Sequence, residues 1–427
     1  MSIIIAFLVF GFLIFTHELG HFLVAKKAGI GVTEFSLGMG PRIVSRQIGE
    51  TRYSLKWIPF GGSCMMVGED ADSDDPSAFN KKPVWARFAV VAAGPIFNFI
   101  FAFLLSVILI SIAGANPARV TSVQEGYGGE QAGLQVGDVI TEINGKQIGI
   151  GRDIDLYLMD HPLDGSPVAI TYQRDGQEHT VTLDPSYTAY RMGISYMVNE
   201  EPASFTEVSA GSPAEAAGIQ AGDVVVSING TPVATGQEMA AYMDAHPLDG
   251  SSLELVLERD GAQFSVTLTP ELYQGVTLGF EASVAREKVG VLGVLKGGLQ
   301  EVRYWISVCF SSLRMLFTGQ AGIQDMSGPV GIVSLIDTTV EQSRQDGALY
   351  VFLNVMNLSI LLSANLGVFN LLPIPALDGG RLVFLLIEAV RRKPVPPDKE
   401  GMVHMIGFAL LMVLMVVVLY NDIVRLF

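Results

Sequence analysis

The chain has 427 residues, too many for one ordinary soluble domain, and the length suggests two to four. Hydrophobic residues make up 49% and charged residues 16%, against roughly 25% charged in average globular chains; this excludes a disordered chain and argues against a wholly soluble one. Two cysteines exclude a disulfide scaffold or a Cys-rich zinc module, and a net charge of −16 argues against nucleic acid as a partner.

Residues 3–25 are the first of four runs apolar enough to cross a bilayer, which takes about 20 residues. Only Thr16, His17, Glu18 and His21 interrupt this run, and it lacks the basic start of a signal peptide. His17-Glu18-Leu19-Gly20-His21 is an H-E-x-x-H pattern. On a helix, imidazoles four residues apart share a face, so both can reach one Zn²⁺ while the intervening Glu serves as general base. An ionisable group at the centre of a membrane helix costs about 2.5–3.5 kcal/mol and marks function by default. The bland alternative is a buried polar knot that ties helices together.

The next stretch carries Lys26, Lys27, Arg42, Arg46, Arg52, Lys56, Lys81, Lys82 and Arg87, which assigns it to the cytoplasm. Within it, residues 53–69, with Pro59, Gly61, Gly62 and Gly68, read as a Gly-rich hairpin. The second apolar run, residues 88–114, contains no Lys, Arg, Asp or Glu.

Residues 116–289 hold 25 Asp/Glu and 8 Lys/Arg, a balance of −17, whereas the rest of the chain balances at +1. This acidic block is duplicated. At an offset of 85, Ala132-Gly133-Leu134-Gln135-Val136-Gly137-Asp138 matches Ala217-Gly218-Ile219-Gln220-Ala221-Gly222-Asp223. The same offset carries Ile143-Asn144-Gly145 onto Ile228-Asn229-Gly230 and Asp175-Gly176 onto Asp260-Gly261. The Asn-Gly and Asp-Gly pairs lie between alternating apolar runs and predict hairpins; residues 153–160 and 237–244 predict short helices. Each copy resembles a PDZ domain of the kind found in bacterial proteases. Such modules add a peptide strand to a sheet edge, or here only block the entrance to another site; the sequence leaves both readings open. His161, His179 and His246 in the repeats do not read as ligands.

Residues 291–317 mix Lys296, Glu301, Arg303 and Arg314 with apolar residues and predict an amphipathic helix on the outer membrane face. The third run, residues 348–372, is free of charge and leads into Asn370-Leu371-Leu372-Pro373-Ile374-Pro375-Ala376-Leu377-Asp378-Gly379-Gly380. The two prolines prevent ordinary helix, and irregular backbone at membrane depth is tolerated where it lines a cavity. No further His follows His21 closely, so Asp378 is the candidate third zinc ligand; its alternative role is a helix cap. The fourth run, residues 402–420, contains His404, which reads as a packing or interface residue.

Arg381, Arg391, Arg392, Lys393 and Lys399 assign the stretch between runs three and four to the cytoplasm. Both termini and the acidic block then lie outside. His17 sits about 20 Å along the first span, toward the cytoplasmic side. Asp378 reaches that depth only if the third span also runs inward, which agrees with four spans rather than five. Cys64 falls in the cytoplasm and Cys309 near the outer face, so they are not expected to pair.

These motifs, with Ala93-Gly94-Pro95-Ile96-Phe97-Asn98-Phe99 in the second run and Leu377-Asp378-Gly379 after the third, resemble the site-2 protease family of intramembrane zinc metalloproteases. Within it, the likeness is to the bacterial regulator of sigma-E protease type with tandem PDZ domains. The resemblance implies a polytopic α-helical membrane protein with four transmembrane helices, an inserted tandem pair of α/β PDZ domains and a membrane-associated β-hairpin. The expected divisions are 1–114 for the first two spans, with the hairpin loop at about 30–85; 115–199 and 200–285 for the PDZ domains; 286–346 for the amphipathic helix and connector; and 347–427 for the last two spans. The implied activity is cleavage of transmembrane segments of single-pass membrane proteins, such as anti-sigma factors or remnant signal peptides, after a first cut outside. One Zn²⁺ per chain is implied, held by His17, His21 and Asp378, with Glu18 catalytic. Asn365, Asn370, Pro373 and Pro375, with Gly61 and Gly62 of the hairpin, are implied in holding the substrate extended. Ser63-Cys64 departs from the aromatic and β-branched pair that many members carry, which touches the hairpin's substrate contacts and not the zinc site. The implied setting is the bacterial inner (plasma) membrane, with lipid and membrane-protein substrates as partners and no nucleic acid. Two rival classes are an ion transporter, against which stand the four spans and the lack of an inverted repeat, and an inactive membrane anchor presenting PDZ modules.

Overall fold

The computed structural model describes residues 2–69, 73–282 and 285–425. The chain divides into two compact units: Met1–Ala118 with Ile148–Asp160 and Ser283–Phe427, and Arg119–Gln147 with His161–Ala282.

The first unit begins with α1 (Ser2–Lys27), an apolar helix whose last turn carries Lys26 and Lys27, where cations complement the helix dipole. Two long strands follow, β1 (Val32–Ile48) and β2 (Thr51–Met66), paired antiparallel. Both bend, so β1 near Glu34–Leu37 pairs on one side with Arg52 and Leu55 and on the other with Met65 and Gly62. Residues 62–66 are thereby left as an edge of the hairpin. Met39, Ile43, Val44, Ile48, Trp57 and Ile58 are exposed on it, while Val32, Phe35 and Cys64 are buried. An apolar surface of that extent suits contact with lipid. Arg42 and Lys56 close on the buried Glu34, and hydrogen bonds from the Arg42 guanidinium hold its carboxyl down at about 2. Helix α2 (Val84–Ala113) returns alongside α1. The two approach closely because Gly20 lacks a side chain: a Cβ there would fall 2.4 Å from the Ala93 carbonyl oxygen.

The repeated block is β-rich. The first copy runs β3 (Val120–Val123), α3 (Gly128–Gln131), β4 (Val139–Ile143), β5 (Lys146–Gln147), α4 (Arg152–Asp160), β6 (Val168–Arg174), β7 (Gln177–Leu183), β8 (Ser186–Arg191) and β9 (Ile194–Tyr196). The second runs β10 (Phe205–Val208), α5 (Pro213–Ala216), β11 (Val224–Ile228), β12 (Thr231–Pro232), α6 (Gly236–Ala245), β13 (Leu253–Arg259), β14 (Ala262–Leu268), β15 (Glu271–Val276) and β16 (Phe280–Ala282). The four-stranded sheets have the equivalent orders β5-β4-β6-β7 and β12-β11-β13-β14. Asn144, Asp175, Asn229 and Asp260 all take positive φ, as the Asn-Gly and Asp-Gly turns require.

The ends of the copies are exchanged. Strand β9 pairs with β10 of the second copy, β16 returns to pair with β3 of the first, and β8 pairs antiparallel with its own repeat equivalent, β15. Met192 is buried in the core of the second copy with Phe205, Met239 and Leu257, and Ile194 and Tyr196 pack against that core. Residues 192–196 thus belong to the core of the second copy. A repeat fixes which residues form strands, but not which strand each of them pairs with.

The rest of the first unit is helical. Helix α7 (Val291–Thr318) lies along the C-terminal half of α2, with Gly297 against Ile110 and Gly298 against Phe103 and Val107. Its Val302, Trp305 and Ile306 join a core with Leu109, Met356 and Ile360, while Leu292, Leu299, Phe310 and Phe317 stay exposed. Buried Glu301 on α7 accepts a 2.5 Å hydrogen bond from Arg152 of α4. The connector beyond α7 contains another helix, α8 (Pro329–Arg344), where Ile336 and Val340 pack with Ala6 and Leu358. Helices α9 (Ala348–Leu371), α10 (Asp378–Arg391) and α11 (Pro397–Val424) complete the chain. Among the described residues, four helices are long and apolar enough to cross a membrane: Ile3–Lys27, Val84–Ala113, Ala348–Leu371 and Asp398–Val424. Helix α7 is not among them.

Candidate metal centre

His17 and His21 stand one turn apart on α1, and their Nε2 atoms are 3.2 Å from each other. Asp378, the first residue of α10, turns its Oδ2 toward both, 3.2 Å from His17 Nε2 and 3.4 Å from His21 Nε2. Three ligands bound to tetrahedral zinc at about 2.0–2.1 Å stand about 3.3 Å apart, so this triangle fits one face of such a site. The donor set fits as well. Asp378 Oδ2 is buried and, among the described residues, accepts no hydrogen bond. His21 Nδ1 lies 2.9 Å from the Val90 carbonyl oxygen, so Nδ1 carries the proton there and the Nε2 lone pair is free. His17 Nδ1 lies 3.1 Å from the Asn98 side-chain amide, whose Oδ1 is buried without a partner. With that amide turned to present Oδ1, Nδ1–H donates to it and the Nε2 of His17 is freed too.

Sequence reasoning placed Gly94 and Asn98 in a motif without giving either a task, and it passed over Val90. Gly94 makes room for the two rings: a Cβ on it would fall 2.3 Å from His21 Nε2 and 2.8 Å from His17 Cε1. A Gly-Pro pair and an Asn inside an uncharged span were the available signal. Asp378 does not cap α10; the N-cap position is Leu377, which makes no side-chain cap.

Glu18 lies beside the triad and faces the hairpin. A Cβ on Gly62 would come within 2.8 Å of Glu18 Cγ and 3.0 Å of Ile14 Cγ2, so the edge at residues 62–66 passes next to this carboxylate. Gly61, at φ +89°, forms the bend before that edge and packs on Met39. Burial pushes the nearby Cys64 thiol up to about 12, which makes it inert rather than nucleophilic. Cys64 and Cys309 are both free.

The residues expected to hold an extended substrate are spread along α9 and the loop after it. Asn365 Oδ1 is buried and has no hydrogen-bond partner among the described residues. Asn370 is half-buried, Pro373 is exposed and Pro375 is half-buried. Among the described residues, neither asparagine is hydrogen-bonded to His17, Glu18, His21 or Asp378. Helix α10 is tied down near both ends, by Arg381 to Glu69 beyond the hairpin and by Glu388 to Arg87 of α2.

Known proteins resemble this chain over nearly its whole length. The profile of peptidase family M50 matches residues 5–414. The chain is 35% identical over 455 aligned positions to the zinc metalloprotease RasP of Geobacillus kaustophilus, covering 100% of this chain and 98% of that protein. It is 34% identical to a putative zinc metalloprotease of Vibrio cholerae, covering 99% and 98% of the two chains. It is also 30% identical to the regulator of sigma-W protease RasP of Bacillus subtilis, covering 100% and 99%.

Proposed function

The chain belongs to peptidase family M50, the site-2 protease family, and is a zinc metallopeptidase; from that premise we propose that His17, His21 and Asp378 hold one Zn²⁺ per chain and that Glu18 is the catalytic base. The observation that carries this reading is the 3.2–3.4 Å triangle of ligand atoms around a buried carboxylate oxygen that no donor satisfies.

The reaction is hydrolysis of a peptide bond inside or next to a membrane-spanning segment of a substrate protein. Bound Zn²⁺ supplies Lewis acidity toward the scissile carbonyl and the attacking water. Glu18 takes a proton from that water as oxygen adds to the carbonyl carbon, and delivers it to the nitrogen as the C–N bond breaks. Asn98 and the Val90 carbonyl orient the two imidazoles. A helical substrate hides its carbonyls in hydrogen bonds and must unwind before it reacts. The edge at residues 62–66 offers a strand for the unwound segment to pair with, next to Glu18. Asn365 and Asn370 donate to the same segment, and Pro373 and Pro375 keep the adjoining loop out of helix, free to line the cleft.

The spans lie in the bacterial inner membrane with both termini and the acidic repeats outside and the triad toward the cytoplasm. The repeats are a tandem PDZ pair that screens the outer parts of substrates, so that only proteins already trimmed outside are admitted. Single-pass membrane proteins such as anti-sigma factors or remnant signal peptides fit these requirements. Glu18→Gln is the test: the variant keeps its zinc and loses cleavage of a membrane-spanning substrate. Equal cleavage by both forms removes Glu18 from the role. Deletion of residues 116–280 admits untrimmed substrates; unchanged selectivity removes the screen.

A further inference from the structure

Helix α11 is the least buried of the four candidate spans, yet it touches the segment that carries Asp378 at two points. One is Gly407, where a Cβ would fall 2.4 Å from Pro375 Cβ and 2.5 Å from the Pro375 carbonyl oxygen. The other is His404, whose Nδ1 accepts a 2.8 Å hydrogen bond from the Ala376 backbone N–H. The opposite end of α11 is anchored as well: buried Asp422 accepts from the backbone N–H groups of Gly328 at 3.0 Å and Gly331 at 2.8 Å, at the start of α8. A helix with few other contacts is thus held at both ends, and its height fixes where His404 sits.

The hydrogen bond matters because of what Ala376 is doing. Between Leu372 and Asp378, Pro373 and Pro375 have no N–H to give. Ile374 donates to the Leu372 carbonyl oxygen at 2.7 Å, and Leu377 donates to that of Ile374 at 3.2 Å. Ala376 is the one remaining donor of the segment, and a side chain from another helix takes it. Ala376 also has φ +78°, a left-handed conformation that an alanine adopts only when its surroundings impose it. Asp378 follows two residues later, so relaxation of Ala376 to negative φ would swing its carboxylate away from the histidines. The His404 ring is held from its other side by Phe384 of α10, with ring centroids 5.5 Å apart.

We propose that His404 is a positioning residue for Asp378: by accepting the Ala376 N–H it holds the loop in the left-handed turn that aims the carboxylate at His17 and His21. The proposal rests on the reading of those three residues as zinc ligands. Its test uses the full-length protein in detergent, with zinc affinity measured by chelator competition and coordination read from the visible absorption of the cobalt-substituted protein. His404→Leu removes the acceptor and weakens zinc binding about 10–100-fold, with a changed cobalt spectrum. His404→Asn, which sets Oδ1 where Nδ1 was, stays close to wild type. Ala376→Gly in the His404→Leu background restores binding, because glycine adopts positive φ without the constraint. Wild-type affinity in a folded His404→Leu protein overturns the proposal, and so does a His404→Leu defect that Ala376→Gly leaves untouched, since that is the mark of general packing. Failure of wild-type protein to bind zinc at all refutes the ligand assignment instead, so the two failures are distinct.

Discussion

The β-rich unit pairs its buried Asp138 and Asp223 with donors, and the helical unit does the same for Glu34, Glu301 and Asp422 but treats Asp378 differently. In the β-rich unit, Asp138 and Asp223 are saturated with donors. Arg259 reaches Asp223 through Nε at 2.6 Å and Nη2 at 2.7 Å, and the Gln220 N–H adds a third bond at 2.8 Å. Arg174 and Gln135 do the same for Asp138 in the other copy. Asp378 Oδ2 is buried against two imidazole nitrogens and, among the described residues, receives no hydrogen bond. A buried charge with both oxygens hydrogen-bonded serves the fold; one left wanting an electrophile is arranged to receive something from outside the chain. Burial alone does not separate the two cases, and the partner list does.

The sharpest way to break this contrast is through function. Glu18→Gln should lower proteolysis by about 10²–10⁴-fold, the usual contribution of a general base, with zinc content and thermal unfolding unchanged. Cleavage of a membrane-spanning reporter together with metal analysis decides it. Gly94→Ala comes next. Its added carbon falls 2.3 Å from His21 Nε2, so zinc affinity should drop at least tenfold by chelator competition while the repeats retain their circular dichroism.

Asp223→Ala should do the reverse. It leaves Arg259 without its buried partner and should lower the urea midpoint of the β-rich unit, with no change in zinc content. The strand exchange sharpens this further: because β9 and β16 cross between the copies, one cooperative transition is expected for both rather than two. The smallest effect is on pH dependence. Hydrogen bonds from Arg259 hold the Asp223 carboxyl below the usual carboxylate range. Its stabilisation is therefore complete above the unfolded value of about 3.9 and is lost as pH falls through the lower folded value. Asp223→Asn should flatten the acid limb of stability below about pH 4, measured by urea unfolding at stepped pH.

Much of this was legible in the sequence for physical reasons. A run without charges can only be a span or a core, and an H-E-x-x-H within such a run brings its ligands together through helix geometry alone. The offset of 85 between Gly137-Asp138 and Gly222-Asp223 announced equivalent folds, and the Asn-Gly turns fixed their hairpins. What stayed hidden depends on contacts between distant segments. Helix α8 begins at Gly328-Pro329 in a stretch whose apolar face is meaningful only against α1 and α9. The crossing of β9 to β10 follows from packing that neither copy displays by itself. Gly94 and Asn98 come near the rings only because α2 passes close to α1, and His404 meets the Ala376 N–H only because α11 packs on the loop before Asp378. Residue types marked the chemistry; the groups that orient it were set by approach distances.

The most direct test of the account is the zinc content of detergent-purified protein, with wild type, Asp378→Asn and Asp223→Asn measured side by side. The account predicts about one zinc per chain in wild type and in Asp223→Asn, and almost none in Asp378→Asn. Equal zinc in all three, or none in folded wild-type protein, would contradict it.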